Sequence, residues 1–470
     1  MNNNNINFYE TLKKADAGDA DSQYEAAYHI LYEIGLTDSV TDKEIVDKAI
    51  GFLRSSAMSG SSYGLAAQEL GEQYFSGKYI AQDFRQAAMW FRAATQKLQP
   101  IGYYYLGNCF LCGYGVEQNN AKAFDSFFKG ALTGYINNYI KIGDMFRIGL
   151  FVKRDVKYAM EMYNHVCDTE LDMFKKIKFM SDAYGQVCLR LGECYLCGCG
   201  VAMDVDLANF FFAEAKKHAK GSHWANKKFI DSESKRLLRY LDSIPYTGGN
   251  ALEYADDNIN HEISNDDFIV MMKEKLPEYK LKYYPEKEMK VLLSRNPIVE
   301  SFDDVAFCDI YDGVQKKDPK SMYKMAMICY SGDKNIPVDP MLREYGIYLF
   351  HQSLLGGCRE PLINLGGFYS NNIEVAANYE IALWLYELHD CPCVYNCMGT
   401  IYANGKGIKR NRIKAYQYFA KYLLSGDIDD HWVYKNMTVI YPHLKRFEQD
   451  KVFIDFLHKK HDEAEAGSTN

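Results

Sequence analysis

A pattern of small, apolar and polar positions recurs six times along this chain and predicts pairs of helices. Each copy starts at a glycine, and an aromatic residue follows three positions later. Residues three apart are neighbours on a helix, so this pair marks one face of a first helix. A helical glycine costs roughly 1 kcal/mol relative to alanine, and its recurrence therefore indicates a close approach of two helices. The starting glycines are Gly71, Gly107, Gly143, Gly192, Gly366 and Gly399.

The rest of each copy predicts the end of the first helix and a second helix that packs on it. Six positions after the starting glycine stands another glycine, once replaced by Asn372, which suits a left-handed helix end. An alanine sixteen positions after the starting glycine and an aromatic residue twenty positions after it share one face of the second helix. Twelve positions after the starting glycine comes Asp or Asn, the expected N-cap. These caps are Asp83, Asn119, Asp155, Asp204, Asn378 and Asn411.

The pattern resembles the Sel-one-like repeat family, whose members are relatives of the tetratricopeptide repeats. The family consensus, Leu-Gly-x-x-Tyr-x-x-Gly-x-Gly-Val followed by Asp and Lys-Ala, is matched almost fully by residues 106–116 and by Lys122 and Ala123. Residues 191–201 and 398–408 are similar. The resemblance implies an all-α fold, an α-solenoid of antiparallel helix-pair repeats (an α/α superhelix). Single hairpins cannot bury their apolar faces alone, so the copies are expected to stack.

The spacing of the copies predicts two arrays with a connector. The pattern is absent over roughly 75 residues after the fourth copy, and residues 245–304 carry 7 basic and 13 acidic side chains. An insertion of about 13 residues before Gly192 is predicted to extend a helix. In chain order we expect a divergent N-terminal repeat (1–60), a first repeat array with a closing helix (61–244), an acidic, partly helical connector (245–317), a second repeat array (318–446), and a C-terminal helix with a disordered tail (447–470).

Composition narrows the function classes. The net charge is −8 and there is no basic stripe, which disfavours nucleic-acid binding. No run approaches the ~18 apolar residues of a membrane span, and the N-terminus does not resemble a signal peptide. The thirteen cysteines are expected to be buried free thiols. Reduced thiols without an export signal favour a cytoplasmic location.

Sequence motifs for catalysis are missing from the chain. It has no phosphate-binding loop, no nucleophile elbow and no His-Glu-x-x-His helix. We therefore expect no catalytic residue, no cofactor and no metal. Two alternatives stay open: a hydrolase-like enzyme with a site built by the connector at 245–305, and a metal or redox protein that uses Cys391, Cys393 and Cys397.

A polar strip on the first helices is the candidate partner-binding site. Its members lie two positions before and one position after the starting glycine, on an inner, concave surface where solenoids bind extended segments. We expect Lys141, Asp144, Arg190 and Glu193 to be exposed. The other interpretation of the strip is a solvated face with pairs of opposite charge inside each helix. The sequence thus predicts a non-enzymatic scaffold or adaptor that binds partner proteins or peptides through the concave faces of both arrays. The strip comprises Glu69, Glu72, Tyr105, Asn108, Lys141, Asp144, Arg190 and Glu193.

Overall fold

Every regular element that the structure describes is helical. The computed structural model describes residues 3–33, 40–59, 62–177, 181–218, 263–281, 304–330, 340–372, 375–405, 407–425, 431–444, 447 and 450–468. Within them are 21 α-helices and one 3-10 helix, so the predicted all-α fold is confirmed. None of these helices combines the length and the apolar character needed to cross a membrane.

The helices follow one another in chain order with short connections. The first eleven are α1 (Asn3–Asp16), α2 (Ala20–Tyr32), α3 (Val40–Ser56), α4 (Tyr63–Ser76), α5 (Phe84–Thr95), α6 (Pro100–Cys112), α7 (Asn120–Leu132), α8 (Asn137–Ile148), α9 (Val156–Ile177), α10 (Asp182–Cys197) and α11 (Val205–His218). The others are α12 (Asn265–Lys275), α13 (Asp304–Gln315), α14 (Pro319–Tyr330), α15 (Pro340–Leu355), α16 (Leu362–Asn371), α17 (Tyr379–His389), α18 (Pro392–Asn404), α19 (Arg412–Leu424), α20 (His431–Ile440), the 3-10 helix Tyr441–His443, and α21 (Lys451–Ser468).

Consecutive helices pack as hairpins, and neighbouring hairpins of the first array pack on one another. The pairs α4/α5, α6/α7, α8/α9 and α10/α11 are the repeats of the first array, and α5/α6, α7/α8 and α9/α10 connect them. The pairs α14/α15 and α16/α17 continue the same arrangement later in the chain. Because each helix contacts mainly its neighbours in sequence, the arrangement is that of a solenoid.

Each starting glycine lies against the aromatic ring of its own second helix. A Cβ atom at Gly107 would lie 2.5 Å from Cε1 of Phe127, which no real side chain tolerates. The close approach predicted from the recurring glycine is therefore confirmed. The other pairs are Gly71 with Phe91, Gly143 with Tyr163, Gly192 with Phe212, Gly366 with Tyr386, and Gly399 with Phe419.

The capping residues also lie where the pattern places them. Asp83 accepts hydrogen bonds from the backbone N–H groups of Arg85 and Gln86 at the start of α5. The residue six positions after the starting glycine ends the first helix with a positive φ, including +56° at Asn372. The alanines sixteen positions on are all fully buried. Each of the remaining caps accepts a hydrogen bond from the backbone N–H of the residue three positions later. The cap and donor pairs are Asn119 and Lys122, Asp155 and Tyr158, Asp204 and Leu207, Asn378 and Ile381, and Asn411 and Lys414.

The chain divides into two compact units whose limits differ from the predicted domains. The first unit comprises residues 1–260 and 423–470, and the second comprises residues 261–422. The end of the predicted second array, 423–446, thus clusters with the first unit. The predicted closing helix near 222–243 lies outside the described residues.

The last described helix extends far into the segment where a disordered tail is expected. Helix α21 continues to Ser468. Its last part is stabilised by pairs one turn apart, in which Glu463 contacts Lys459 and Lys460 at 3.6 and 2.9 Å. The predicted extension of a helix before Gly192 is confirmed, because α9 runs for 22 residues.

The described residues of the C-terminal segment (431–444, 447 and 450–468) pack on the first repeats of their own unit. Phe453 lies with its ring 6.2 Å from that of Phe128 on α7. Phe447 lies 6.1 Å from Phe151. Phe128 and Phe453 are fully buried, so this contact belongs to the hydrophobic core of the first unit.

Candidate functional site

The polar strip is more buried than the sequence predicts. Five of its eight side chains are at most 8% exposed, and only three keep intermediate exposure. The expected exposure of Lys141, Asp144, Arg190 and Glu193 is wrong for Arg190 and only partial for the other three, because neighbouring repeats cover the strip. The buried members are Glu69, Glu72, Tyr105, Asn108 and Arg190, and the partly exposed ones are Lys141, Asp144 and Glu193.

At its first end the strip is occupied by contacts within the chain. The Tyr32 hydroxyl on α2 donates a hydrogen bond to Glu69 on α4. Glu72 accepts a hydrogen bond of 3.0 Å from Nε2 of Gln68 and another from Tyr105 on α6. Burial, and then the neighbouring charge of Glu69, raise the pKa of Glu72 well above its usual value, despite these bonds. This end connects successive first helices and leaves little polar surface for a partner.

At its other end the strip holds two ion pairs between repeats. Arg190 on α10 donates through Nε and Nη2 to the two carboxylate oxygens of Asp144 on α8, at 2.7 and 2.8 Å. Arg147 contacts Glu193 at 2.6 Å. Tyr163 donates to Asp144 at 2.8 Å. Burial alone would raise the pKa of Asp144, but the charge of Arg190 and its hydrogen bonds, with Arg147, lower it to about 2.

The ion pairs join residues 46 positions apart, whereas the alternative interpretation of the strip placed them inside single helices. Arg147 and Tyr163 belong to this network and were not in the predicted site. Arg147 stands four positions after Gly143, one turn further along the same face, which is the signal that could have included it.

The cysteine cluster of the metal alternative contains a disulfide. Cys391 and Cys393 are bonded to each other, and Cys397 is exposed and not part of a disulfide. The expectation of free thiols is therefore wrong for this pair. A ring nitrogen of His389 lies within 4.8 Å of both sulfurs. Because thiolates are the metal ligands, these residues could hold a metal only after reduction.

A second group of cysteines has one acidic thiol. The hydrogen bond with Cys194 lowers the pKa of Cys199 to about 6, against the effect of burial. The charges of Arg147 and Arg154 act in the same direction. Cys199 thus combines partial exposure with thiolate character, the properties of a reactive cysteine.

The described part of the connector is folded onto the second unit. Helix α12 packs on α15, and the ring of Tyr279 stacks on His351 at 4.9 Å. Burial lowers the pKa of His351 to about 4, and its Nε2 lies 3.1 Å from the Tyr369 hydroxyl. Residues 245–262 and 282–303, which the enzyme alternative also requires, lie outside the described residues.

A polar cluster between α7 and the C-terminal segment was not predicted. Lys129 contacts Asp125 at 2.9 Å, and both side chains are at most 4% exposed. The Tyr441 hydroxyl donates to Asp125 at 3.1 Å. The ammonium group of Lys129 also lies 5.1 Å from the ring centres of Tyr441 and Phe453. The charge of Lys129 is thus balanced by Asp125 four positions earlier, and a hydroxyl and two rings more than 300 residues later complete the cluster.

These elements define an α-solenoid of stacked helical hairpins. The family model of the Sel1 repeat matches six segments of the chain, as the resemblance predicted, so the chain contains six Sel1 repeats. One match covers α14 and α15, where the pattern is degenerate, and the copy at Gly366 is not matched. The segments are 64–97, 100–125, 139–164, 186–218, 319–358 and 398–425.

Two solved structures are similar to this chain. A Sel1 repeat protein from Oxalobacter formigenes is 21% identical, with a TM-score of 0.36, over 45% of this chain and 80% of that one. The protein c5321 displays an SLR fold and is described as a protective antigen present in uropathogenic Escherichia coli strains. It is 18% identical, with a TM-score of 0.33, over 97% of this chain and 94% of that one. Neither similarity informs on function. No curated protein matches the chain.

Proposed function

We propose that this chain is a non-enzymatic cytoplasmic scaffold or adaptor that binds partner proteins or peptides through the first-helix faces of its two arrays. Stacked hairpins present a continuous surface, and Sel1 repeats generally mediate protein interactions. The proposal places the contact in the first array at the end of the strip formed by Lys141, Asp144, Arg190 and Glu193.

The observation that carries the proposal is the partial exposure of the ion pairs between α8 and α10. The side chains of Arg147 and Glu193 are 27% and 22% exposed, and that of Asp144 is 25% exposed. Positively charged nitrogen atoms and negatively charged oxygen atoms therefore both face solvent, and the ion pairs hold them in fixed positions. Such a surface favours a partner with complementary charges, since electrostatic complementarity supplies specificity.

The two ends of the strip have different roles in this proposal. Glu69, Glu72, Tyr105 and Asn108 hold the repeats together, because their polar atoms already pair within the chain. Arg190 is nearly buried and fixes the carboxylate of Asp144. Direct partner contacts are assigned to Lys141, Asp144, Arg147 and Glu193.

Charge reversal tests this assignment. Immobilised full-length chain, its Lys141→Glu variant and its Lys157→Glu variant would be compared for captured proteins by quantitative mass spectrometry. Lys157 is an exposed residue on the second helix α9, so its variant has the same charge change on another face. We expect a partner that the unmodified chain and Lys157→Glu retain and that Lys141→Glu loses. Circular dichroism should show the same helix content in all three.

An identical set of captured proteins for all three chains would contradict the assignment. Loss of the same partner from Lys157→Glu would equally contradict it, because the effect would then follow from net charge alone. Charges with access to solvent typically contribute only ~0–1 kcal/mol to stability. Lys141 is partly exposed and Lys157 is exposed, so unfolding is not expected in either variant.

A further inference from the structure

The C-terminal end of α10 brings two cysteine side chains together. Gly198 has a left-handed backbone with a φ of +65°, and the N–H of Cys199 donates a hydrogen bond of 2.8 Å to the carbonyl of Cys194. This is the Schellman type of helix end, in which the side chains of the two bonded residues commonly make an apolar contact. The ends of α6 and α8 have the same backbone bond, so among these three helix ends only that of α10 joins two thiols. The equivalent pairs are Tyr114 with Cys109 and Leu150 with Met145.

The two sulfur atoms are in hydrogen-bond contact. The thiol of Cys194 donates to the sulfur of Cys199. Cys194 is buried, whereas Cys199 is partly exposed. A reagent in solution therefore reaches Cys199 first, and Cys194 lies directly behind it. Because a disulfide forms without backbone movement only between side chains that point towards each other, this contact permits one.

Two guanidinium groups of the preceding repeat lie beside Cys199. Arg154 donates a hydrogen bond to its sulfur, and Arg147 acts through its charge. Both are held in place, because Nε of Arg154 donates to the carbonyl of Arg147 at 2.8 Å and Arg147 contacts Glu193 at 2.6 Å. The hydrogen bond from Cys194, and then the two arginines, lower the pKa of Cys199 to about 6 against the effect of burial. At neutral pH this sulfur is therefore mostly a thiolate, the nucleophilic form of cysteine.

Other thiols near this helix end lack one of these conditions. Cys197 lies in the same turn, but burial raises the pKa of its thiol. Cys167 on α9 is buried, and burial raises the pKa of its thiol to about 11. Cys109, in the equivalent position of α6, has Tyr114 where the second thiol would be. Electrophilic oxidants should therefore react with Cys199 in preference to these thiols.

We propose that Cys199 is oxidised by hydrogen peroxide and then forms a reversible disulfide with Cys194. In the first step the Cys199 sulfur attacks one peroxide oxygen: an S–O bond forms, the O–O bond breaks, and the leaving hydroxide takes up a proton to become water. In the second step the Cys194 sulfur attacks the sulfur of the sulfenic acid: the S–S bond forms, the S–O bond breaks, and the hydroxyl group leaves as water with the proton of Cys194. The two cysteines lose two electrons, and the peroxide is reduced to two waters. The reaction needs no partner protein, so it does not depend on the scaffold proposal.

Differential alkylation of the full-length chain tests the proposal. The reduced chain is treated with hydrogen peroxide at neutral pH, free thiols are blocked with N-ethylmaleimide, and the thiols released by dithiothreitol are labelled with iodoacetamide. Fragmentation of the peptide that contains all three cysteines should show iodoacetamide on Cys194 and Cys199 and N-ethylmaleimide on Cys197. In Cys194→Ser, oxidation should stop at the sulfenic acid of Cys199, which dimedone traps.

The variant Arg154→Gln separates the charge of this arginine from its backbone contact. Two earlier repeats have glutamine in the equivalent position, and Gln82 and Gln118 donate to the carbonyl seven residues earlier, as Arg154 does. The variant should therefore keep this bond and lose only the guanidinium group. At about pH 6 its disulfide should form about twofold more slowly, or slower still, because a smaller fraction of Cys199 is ionised. Arg85→Gln, the same change at an exposed position of α5, should react at the rate of the unmodified chain.

Three results would overturn the proposal. One is the absence of iodoacetamide from Cys194 or from Cys199 in the unmodified chain, since no disulfide would then join them. Another is a Cys194→Ser variant with native helix content in which dimedone does not label Cys199. The third is an equal rate of disulfide formation in Arg154→Gln and Arg85→Gln, which would exclude the arginine as the group that activates the sulfur. The first result is obtained on the unmodified chain, and both arginines are exposed, so the test does not depend on the folding of a core variant.

Discussion

The hydroxyl of Tyr103 on α6 donates a hydrogen bond of 2.9 Å to Oδ2 of Asp450, which lies 347 residues later. Asp450 in turn accepts from the backbone N–H of Val452 and so caps α21. Burial, together with the charge of Asp450, raises the pKa of Tyr103, so the hydroxyl stays protonated and remains a donor. The end of the chain is thus bonded to the second regular repeat and belongs to the same compact unit.

Adjacent glycines of α16 should respond in opposite ways to alanine. Gly366→Ala would place a methyl group 2.5 Å from the ring of Tyr386 and should destabilise the second unit by roughly 1–3 kcal/mol. Gly367→Ala, whose Cβ has ordinary space, should stabilise it by up to about 1 kcal/mol through helix propensity. Chemical unfolding followed by circular dichroism measures both. Equal effects of the two substitutions would show that the ring does not require a glycine.

Loss of an N-cap should cost more than loss of a nearby helix charge. In Asp155→Ala the backbone N–H of Tyr158 loses its side-chain acceptor, which should lower the free energy of unfolding by about 0.5–2 kcal/mol. Asp206→Ala removes an exposed carboxylate from the first turn of α11, where Asp204 is the cap. Its effect should stay within about 0.5 kcal/mol. Similar losses in the two variants would argue against capping as the role of Asp155.

The buried pair of Lys129 and Asp125 gives a prediction about the docked C-terminal segment. Lys129→Met removes the ammonium group from a carboxylate that is 3% exposed, and should destabilise the first unit by about 3–5 kcal/mol. The double variant Lys129→Met/Asp125→Asn leaves no buried charge and should recover most of that loss. Urea unfolding of the single and double variants provides the comparison. If the double variant is less stable than the single one, charge balance does not explain the cluster.

Asp144 should stabilise the first unit in a defined pH range. Its pKa in the folded chain, about 2, is below the ordinary value of 3.8, so the ionised form is favoured by folding. The stabilisation, roughly 2 kcal/mol, is complete above about pH 4 and disappears as the pH falls towards 2. The difference in unfolding free energy between the unmodified chain and Asp144→Asn should therefore shrink over this range. A difference that is independent of pH would exclude the ion pair with Arg190 as its source.

Features that depend on near neighbours were predictable from the residues themselves. The glycine of each first helix, the aromatic ring twenty positions later and the Asp or Asn cap all act within a single hairpin. Their geometry follows from backbone conformation and helix periodicity, so the pattern alone determined the helices, their caps and their pairing. The Gly107–Phe127 contact and the cap at Asp83 are examples.

Other features were decided only by the tertiary structure. Whether a polar side chain on a first helix is exposed depends on the helix that covers it. The sequence of the covering helix contains no pattern from which that contact could be predicted. Glu69 is therefore buried under α2, while Glu193 stays partly exposed. The bond between Tyr103 and Asp450 depends on the path of the whole chain, because ordinary tyrosines and aspartates bond only when folding brings them together. The residues within each hairpin thus determined the structure of the repeat. Packing between distant parts of the chain determined which surfaces of the repeats are exposed to solvent.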